Sequence, residues 1–269
     1  MATALITGAT AGIGLEFAWQ LAASRHNLVL VARDAHRLDA VAQQLNSVAG
    51  VHVDVLPADL GTREGIDSVV QRLSDRDRPI NLLVNNAGYA INTRFLDSEI
   101  DDQAEALTVM VEAVMRLSHA AAKVMRQRGR GLIINVSSVA ALTASGTYSA
   151  HKAWVRSFTE GLAVELSGTG ASAMALCPGF VHTEFHERAG IDYSGFPEVA
   201  WLSAEELVRE ALADARRGAV LSTPSLRYKG ASGLLRILPR FVVRALQVRG
   251  AVASTAAGRR NPITTPSQT

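Results

Sequence analysis

Thr7-Gly8-Ala9-Thr10-Ala11-Gly12-Ile13-Gly14 is the stretch that decides how this chain folds. It follows the apolar run Ala4-Leu5-Ile6 and leads into Gly14–Ser24, where the spacing of apolar residues is helical. A strand that runs through a glycine-rich turn into a helix is built to receive a phosphate. Gly8 permits the tight turn, Gly12 lets the backbone approach a pyrophosphate, and Gly14 lets helix and strand touch. The first amides of the helix and its dipole then face the anion. The competing reading is a plain glycine loop; the position between strand and helix argues against it.

Outward from this turn, short apolar runs alternate with amphipathic stretches. Strands are predicted at Ala2–Thr7, Asn27–Ala32, Val51–Pro57, Leu82–Asn85, Gly131–Val136, Ser172–Leu176 and Ala219–Ser222. Helices are predicted at Gly14–Ser24, Ala35–Leu45, Arg63–Leu73, Asp101–Gln127, Tyr148–Gly168 and Ala204–Arg216. Strict alternation, with strands apolar throughout, implies a parallel sheet covered on both faces. Right-handed crossovers make that sheet doubly wound. The expected architecture is therefore α/β: one Rossmann-type domain over residues 1–225 and a basic extension over 226–269.

Composition narrows the functional classes. The chain has 269 residues, of which 48% are hydrophobic and 19% charged, enough for one large core and against wholesale disorder. A net charge of +2 without an aromatic-basic stripe gives no sign of nucleic-acid binding. Cys177 is the sole cysteine, which excludes an internal disulfide and a cysteine-rich metal site. No uncharged run is long enough to span a bilayer, and Ala4-Leu5-Ile6 leaves no room for a leader before it, so a cytoplasmic location is expected. The charge is uneven. No acidic residue follows Asp214, whereas Arg216, Arg217, Arg227, Lys229, Arg236, Arg240, Arg244, Arg249, Arg259 and Arg260 do.

Three residues separate the first two glycines of the turn, and this Thr-Gly-x-x-x-Gly-Ile-Gly form resembles the short-chain dehydrogenase/reductase family. The family's further motifs occur in order over roughly residues 3–224. Asp59, with Leu60, follows the third strand, where the resemblance implies contact near an adenine ring. Asn85-Asn86-Ala87-Gly88 follows the fourth and is similar to the family's NNAG motif. Ser138 follows the fifth, and Tyr148-Ser149-Ala150-His151-Lys152 gives Tyr-x-x-x-Lys on a helix. Pro178-Gly179-Phe180-Val181-His182-Thr183 resembles the segment that holds a nicotinamide carboxamide. The resemblance implies cofactor-binding roles for Gly8, Thr10, Gly12, Ile13, Gly14, Asn86, Gly88, Pro178, Gly179, Val181 and Thr183.

Tyrosine, with an ordinary pKa of about 10, is too weak an acid to ionise at neutral pH, but a lysine at i+4 shares its helical face and lowers that value. By resemblance, Tyr148 exchanges a proton with a carbonyl or alcohol oxygen. Lys152 holds the nicotinamide ribose as well, and Ser138 hydrogen-bonds the substrate oxygen. Cofactor choice is read after the second strand, where an acid selects NAD and an arginine accommodates the 2′-phosphate of NADP. Arg33 stands there, with a guanidinium suited to bidentate phosphate contact, and Asp34 is expected to point away. Ala11 supplies no second basic group.

Two departures from the family pattern bear on catalysis. Met110 aligns with an asparagine that helps hold a water linked to the lysine, and a thioether cannot replace an amide. The interval between Ser138 and Tyr148 is also shorter than usual, which leaves Ser137 as an alternative, although its side chain should project to the opposite face.

Weaker signals remain. His182 and His186, followed by Glu187, imitate a metal pair but lack a third ligand. His151 reads as a helix-face residue and Cys177 as a small core residue. Phe185, Phe196 and Trp201 are candidate walls of an apolar substrate pocket within the long irregular stretch His182–Ser203. Gly233–Val248 is apolar, with Arg236, Arg240 and Arg244 spaced for one helical face around Pro239; it reads as a lid or as a segment lying on an anionic membrane. The residues from Ser254 read as disordered.

The expectation is an oxidoreductase that moves hydride between NADP(H) and an apolar small-molecule carbonyl/alcohol pair, acting as a homodimer or homotetramer through the long fourth and fifth helices. An inactive NADP-binding scaffold is the rival reading, with a lyase- or epimerase-like relative behind it.

Overall fold

In a computed structural model, the structure describes residues 1–91, 93–183, 201–245 and 247. Seven strands form one sheet in the order β3-β2-β1-β4-β5-β6-β9. They are β1 (Thr3–Thr7), β2 (Asn27–Ala32), β3 (Val53–Pro57), β4 (Leu82–Asn85), β5 (Gly131–Val136), β6 (Ala171–Leu176) and β9 (Leu221–Ser222). All the pairings are parallel, as apolar strands and long crossovers require. A separate parallel pair joins β7 (Phe180–Val181) to β8 (Trp201–Leu202).

Helices cover both faces. On one side α1 (Gly12–Ala23), α2 (Ala35–Ala49) and α7 (Ala204–Arg216) enclose a core of Ile6, Phe17, Leu28, Leu30, Val84 and Leu207. On the other, α3 (Arg63–Ser74), α5 (Ala113–Arg128) and α6 (Gly146–Glu165) enclose Leu5, Val29, Ile66, Leu83, Leu117 and Ile133. Alternate residues of β1, Leu5 and Ile6, point into opposite cores, the period-two consequence of the pleat. The strand order reverses at β1, so the carboxyl ends of β1 and β4 open a crevice, the place where sheets of this kind bind ligands.

Two sequence expectations change. The long helix predicted over Asp101–Gln127 is present as α4 (Ile100–Leu107) and α5, joined by a π turn at Thr108–Glu112 that contains Met110. Arg236, Arg240 and Arg244 do not share one helix. α8 (Leu226–Ile237) is closed by Leu238, which is extended (φ −64°, ψ 132°), and a new helical stretch starts at Arg240. Proline disfavours the helical conformation in the residue before it, and that is Leu238.

Candidate active site

The glycine turn is held to β4 by side chains. Thr7 Oγ1 accepts from the amides of Asn86 and Ala87, both at 3.0 Å. Asn86 Nδ2 donates to the carbonyls of Thr7 (3.0 Å) and Gly8 (3.2 Å). Asn86 therefore fixes the crevice walls, a lacing role that sequence spacing did not show. Gly8 and Gly12 take φ of +66° and +54°, the left-handed region in which a side chain is strained. A Cβ on Gly14 would collide with the Gly8 carbonyl oxygen. A Cβ on Gly12 would lie 3.1 Å from Thr183, so the Pro178–Thr183 segment returns to the turn.

The turn fits the phosphate group that the sequence implied. Ala11, the N-cap of α1, makes no side-chain cap, and the first turn of the helix carries no acid. Its first amides are thus not taken by a capping side chain, and no acid of that turn competes with a ligand. Arg33 is exposed at the end of β2. Asp34 is used as the N-cap of α2, accepting from the Arg37 amide at 3.0 Å. Arg37 reaches back across the same end and donates to the Thr10 carbonyl at 3.2 Å. The sequence reading missed this second arginine; the signal was an N-cap aspartate followed by a basic residue in the first helical turn. Asp59 Oδ1 accepts from the Gly61 amide at 2.9 Å, and Leu60 is buried. Nearby, the Tyr89 hydroxyl is pushed up to about 12 by burial and by its bond to Glu105, while Arg33 acts in the opposite sense.

Beside Gly88, α6 carries Tyr148 and Lys152. The Lys152 ammonium is buried, 5.8 Å from the Tyr148 ring centroid, and donates to the Val136 carbonyl at 2.9 Å. Burial pulls its pKa down to about 8, because an ammonium loses its hydration there. Tyr148 and Gly88 border the same space as Met110. Tyr148 packs against the cluster Ala106, Val109 and Met110. A Cβ on Gly88 would lie 3.2 Å from Met110 Cγ and 3.6 Å from Lys152 Nζ. Met110 thus fills a closed apolar corner beside the lysine, and its π turn is the kind of helix irregularity found at functional sites.

Ser138 and Ser137 have different tasks. Ser137 is buried and donates to the Lys152 carbonyl at 2.7 Å, which ties β5 to α6. Ser138 is partly exposed; its hydroxyl accepts from the Ala140 amide at 3.1 Å and caps the short 3-10 helix Val139–Leu142. The loop between Ser138 and Tyr148 is short, and it is fastened from outside. Thr143 and Ser149 share a hydroxyl contact of 2.9 Å, and Arg240 donates to the carbonyls of Leu142 (3.0 Å) and Thr143 (3.3 Å). Pro178 joins in by accepting from the Val139 amide at 2.9 Å.

α6 is also aligned by a buried polar chain. Asn85 Nδ2 donates to Ser118 Oγ (3.1 Å) and Asn135 Oδ1 (2.9 Å), and Asn135 Nδ2 donates to Thr159 Oγ1 (3.0 Å). These groups lie on α5, β4, β5 and α6, and leaving one unpaired in the core costs about 1–3 kcal/mol, so the chain fixes the helix against the sheet. Its members are far apart in sequence, and only Asn85 stood out there, as part of a motif.

Of the weaker candidates, His182 and Trp201 stack with centroids 4.6 Å apart, and Phe180 lies 5.7 Å from Trp201. His151 and Cys177 are buried. Phe185, His186, Glu187 and Phe196 lie outside the described residues, as does the stretch from Ser254.

Known proteins are similar to this chain in sequence and fold. A family model described as short chain dehydrogenase matches residues 2–193. A short-chain dehydrogenase from Sphingobium yanoikuyae, solved in complex with NADPH, superposes with a TM-score of 0.80 at 33% identity, covering 100% of this chain and 99% of that one. The bulky-bulky ketone specific alcohol dehydrogenase from Comamonas testosteroni gives 0.76 at 29% identity over 99% of this chain and 97% of its own. An NADP-dependent 3-hydroxy acid dehydrogenase from Schizosaccharomyces pombe is 32% identical over 188 residues, 68% of this chain and 73% of the relative. With the glycine turn laced to β4, and tyrosine and buried lysine on one helix beside it, the chain belongs to the short-chain dehydrogenase family and is an oxidoreductase of that type.

Proposed function

We propose that this protein is an NADP(H)-dependent carbonyl reductase or alcohol dehydrogenase. The observation that carries the reading is the buried Lys152 ammonium beside the Tyr148 ring and next to Gly88, in the same segment whose Asn86 laces the glycine turn. When bound, the cofactor would supply or accept the hydride. The chain's own residues do the rest. The amides after Gly12 receive the pyrophosphate, with Gly8, Thr10, Ile13 and Gly14 shaping the turn. Arg33 and Arg37 receive the 2′-phosphate: Arg33 is exposed directly after β2, Arg37 reaches the Thr10 carbonyl of the glycine turn, and Asp34 is occupied as a helix cap. Asp59 and Leu60 border the adenine, and Asn86, Gly88, Pro178, Gly179, Val181 and Thr183 border the nicotinamide half. NADP is further supported by the Sphingobium and Schizosaccharomyces relatives, whose names carry NADPH and NADP.

Tyr148 passes the proton to the carbonyl oxygen in reduction and takes it from the alcohol in oxidation. Lys152, as an ammonium 5.8 Å from the Tyr148 ring centroid, favours the tyrosinate formed in that exchange. Ser138 donates a hydrogen bond to the substrate oxygen. Residues 1–225 act as the catalytic domain, residues 226–269 as its extension, and the protein works as a cytoplasmic homo-oligomer on apolar substrates. Met110 favours a second reading, a cofactor-binding scaffold with weak turnover, since its thioether supplies no amide beside Lys152.

Turnover separates the two. NADPH oxidation is followed by absorbance over a panel of ketones, aldehydes and quinones, with Tyr148→Phe run beside the wild type and cofactor affinity recorded for both. Activity that falls by a factor of about a thousand in the variant, with affinity retained, is expected for a lost general acid. Equal activity in the two proteins overturns the role of Tyr148.

A further inference from the structure

A helix packed on a protein turns its apolar stripe inward; α8 turns it out. Inward it presents Tyr228, whose hydroxyl accepts from the Phe180 amide at 3.1 Å and whose ring covers Gly179, together with the buried Ser232. Outward it presents Leu226, Leu234 and Ile237, which are 84%, 61% and 82% exposed. Gly230 and Gly233 fall on the same stripe at spacings of three and four, and a Cβ on either would meet nothing within 4 Å. The helical stretch 240–245 buries Val243 and adds Phe241, 65% exposed. Exposed Arg227, Lys229 and Arg236 accompany the stripe on α8, and exposed Arg244 follows.

The charge identifies what this surface fits. No acidic residue follows Asp214 in the sequence. Of the described acids that precede it in the sequence, Glu210 accepts from the Ser225 amide at 2.9 Å, and Asp214 is held by Ser222 and Arg217 and also attracts Lys229. A second copy docked on the same face by a two-fold axis would set arginine against arginine. A bilayer with anionic headgroups satisfies both features at once, taking leucine, isoleucine and phenylalanine below the phosphates and leaving the cations at them. We propose that the outer face of α8, continued by Phe241 and Arg244, is a docking surface for an anionic lipid bilayer. The contact is peripheral, because no helix among the described residues is long and apolar enough to cross a membrane.

The inner faces of the same segment explain why the location matters. Tyr228 holds the Phe180 amide beside the Pro178-Gly179 turn, and Arg240 holds the loop between Ser138 and Tyr148. A protein seated this way presents the flank of its active site to the bilayer, where apolar carbonyls and alcohols concentrate; this consequence rests on the reductase reading, whereas the docking surface does not.

The full chain is floated with vesicles of phosphatidylcholine and with vesicles of phosphatidylcholine mixed with phosphatidylglycerol. Binding is expected with the anionic vesicles alone and is expected to weaken with salt. Leu234→Ser with Ile237→Ser should lower the partition coefficient about tenfold per side chain. Arg227→Gln with Arg236→Gln should lower it about fivefold per charge and flatten the salt dependence. Circular dichroism and thermal melting of each variant verify that these exposed substitutions leave the fold intact. The proposal is overturned by absent or composition-independent binding, by binding that survives both variants, or by a self-associated species that the Leu234→Ser/Ile237→Ser variant dissolves while vesicles are ignored. None of these readouts uses turnover, so a failed carbonyl assay and a failed flotation are separate results.

Discussion

Lys152→Met removes the buried ammonium and should make the protein more stable while disabling it. An ordinary lysine pKa is 10.5, and burial brings that of Lys152 to about 8. The folded state therefore holds the lysine proton less tightly than the unfolded chain. At pH 7 both states are mostly protonated, and the difference in proton affinity works against folding by about 3 kcal/mol at 1.36 kcal/mol per unit. Between pH 8 and 10.5 the unfolded chain binds more protons than the folded one, so this group makes stability rise with pH, and above that window its effect vanishes. Methionine is close in length and carries no charge, but it loses the bond from Nζ to the Val136 carbonyl. The donor is charged, so that loss offsets about 2 kcal/mol. A net gain of about 1 kcal/mol at neutral pH remains, or about 2–4 °C in Tm for a domain of this size. Thermal melts of both proteins at pH 6.5, 8 and 10.5 provide the assay. The variant should lead at the two lower values, and the lead should shrink at the highest. A variant that is less stable at neutral pH, or a lead independent of pH, refutes the reasoning that Lys152 sits as a desolvated cation.

Three further outcomes follow from the geometry. Gly14→Ala puts a methyl into the Gly8 carbonyl oxygen, which is backbone and cannot yield, so a loss of more than about 2 kcal/mol in stability and of dinucleotide affinity is expected, measured by urea unfolding and fluorescence titration. Arg240→Ala removes both bonds to the Leu142 and Thr143 carbonyls; the loop carrying Ser138 loosens, so kcat/KM should fall about tenfold while dinucleotide affinity holds, with Arg240→Lys restoring part of it. Burial raises the pKa of the Cys177 thiol, so below pH 9 it stays protonated as well as covered; native protein should resist iodoacetamide and unfolded protein should react, as read by mass spectrometry.

Much of the site could be read along the chain because its parts are local. The glycine turn is a continuous stretch whose conformations require glycine, and Tyr148 and Lys152 need only one turn of helix to share a face. Asp34, expected to point away, is taken up as a helix cap. What the sequence concealed is non-local. Arg37 reaches Thr10 across 27 positions, Arg240 reaches Leu142 across 98, and Asn85, Ser118, Asn135 and Thr159 meet only when four elements pack. No periodicity encodes such meetings.

The C-terminal segment marks the boundary between the two kinds of information. Its basic, apolar composition and its proline were plain in the sequence, and a single helical face for Arg236, Arg240 and Arg244 was the natural reading. The helix break before Pro239 divides them. Which residues then face the body was decided by Tyr228 closing over Gly179 and Arg240 finding the open carbonyls of a 3-10 helix end. By itself, the sequence determined the α/β alternation, the phosphate turn and the Tyr–Lys pair, because strand and helix periods and glycine's backbone freedom act within a few residues. The tertiary structure alone decided the lacing by Asn86, the apolar corner around Met110 and the outward stripe of α8, because each depends on surfaces brought together from distant parts of the chain.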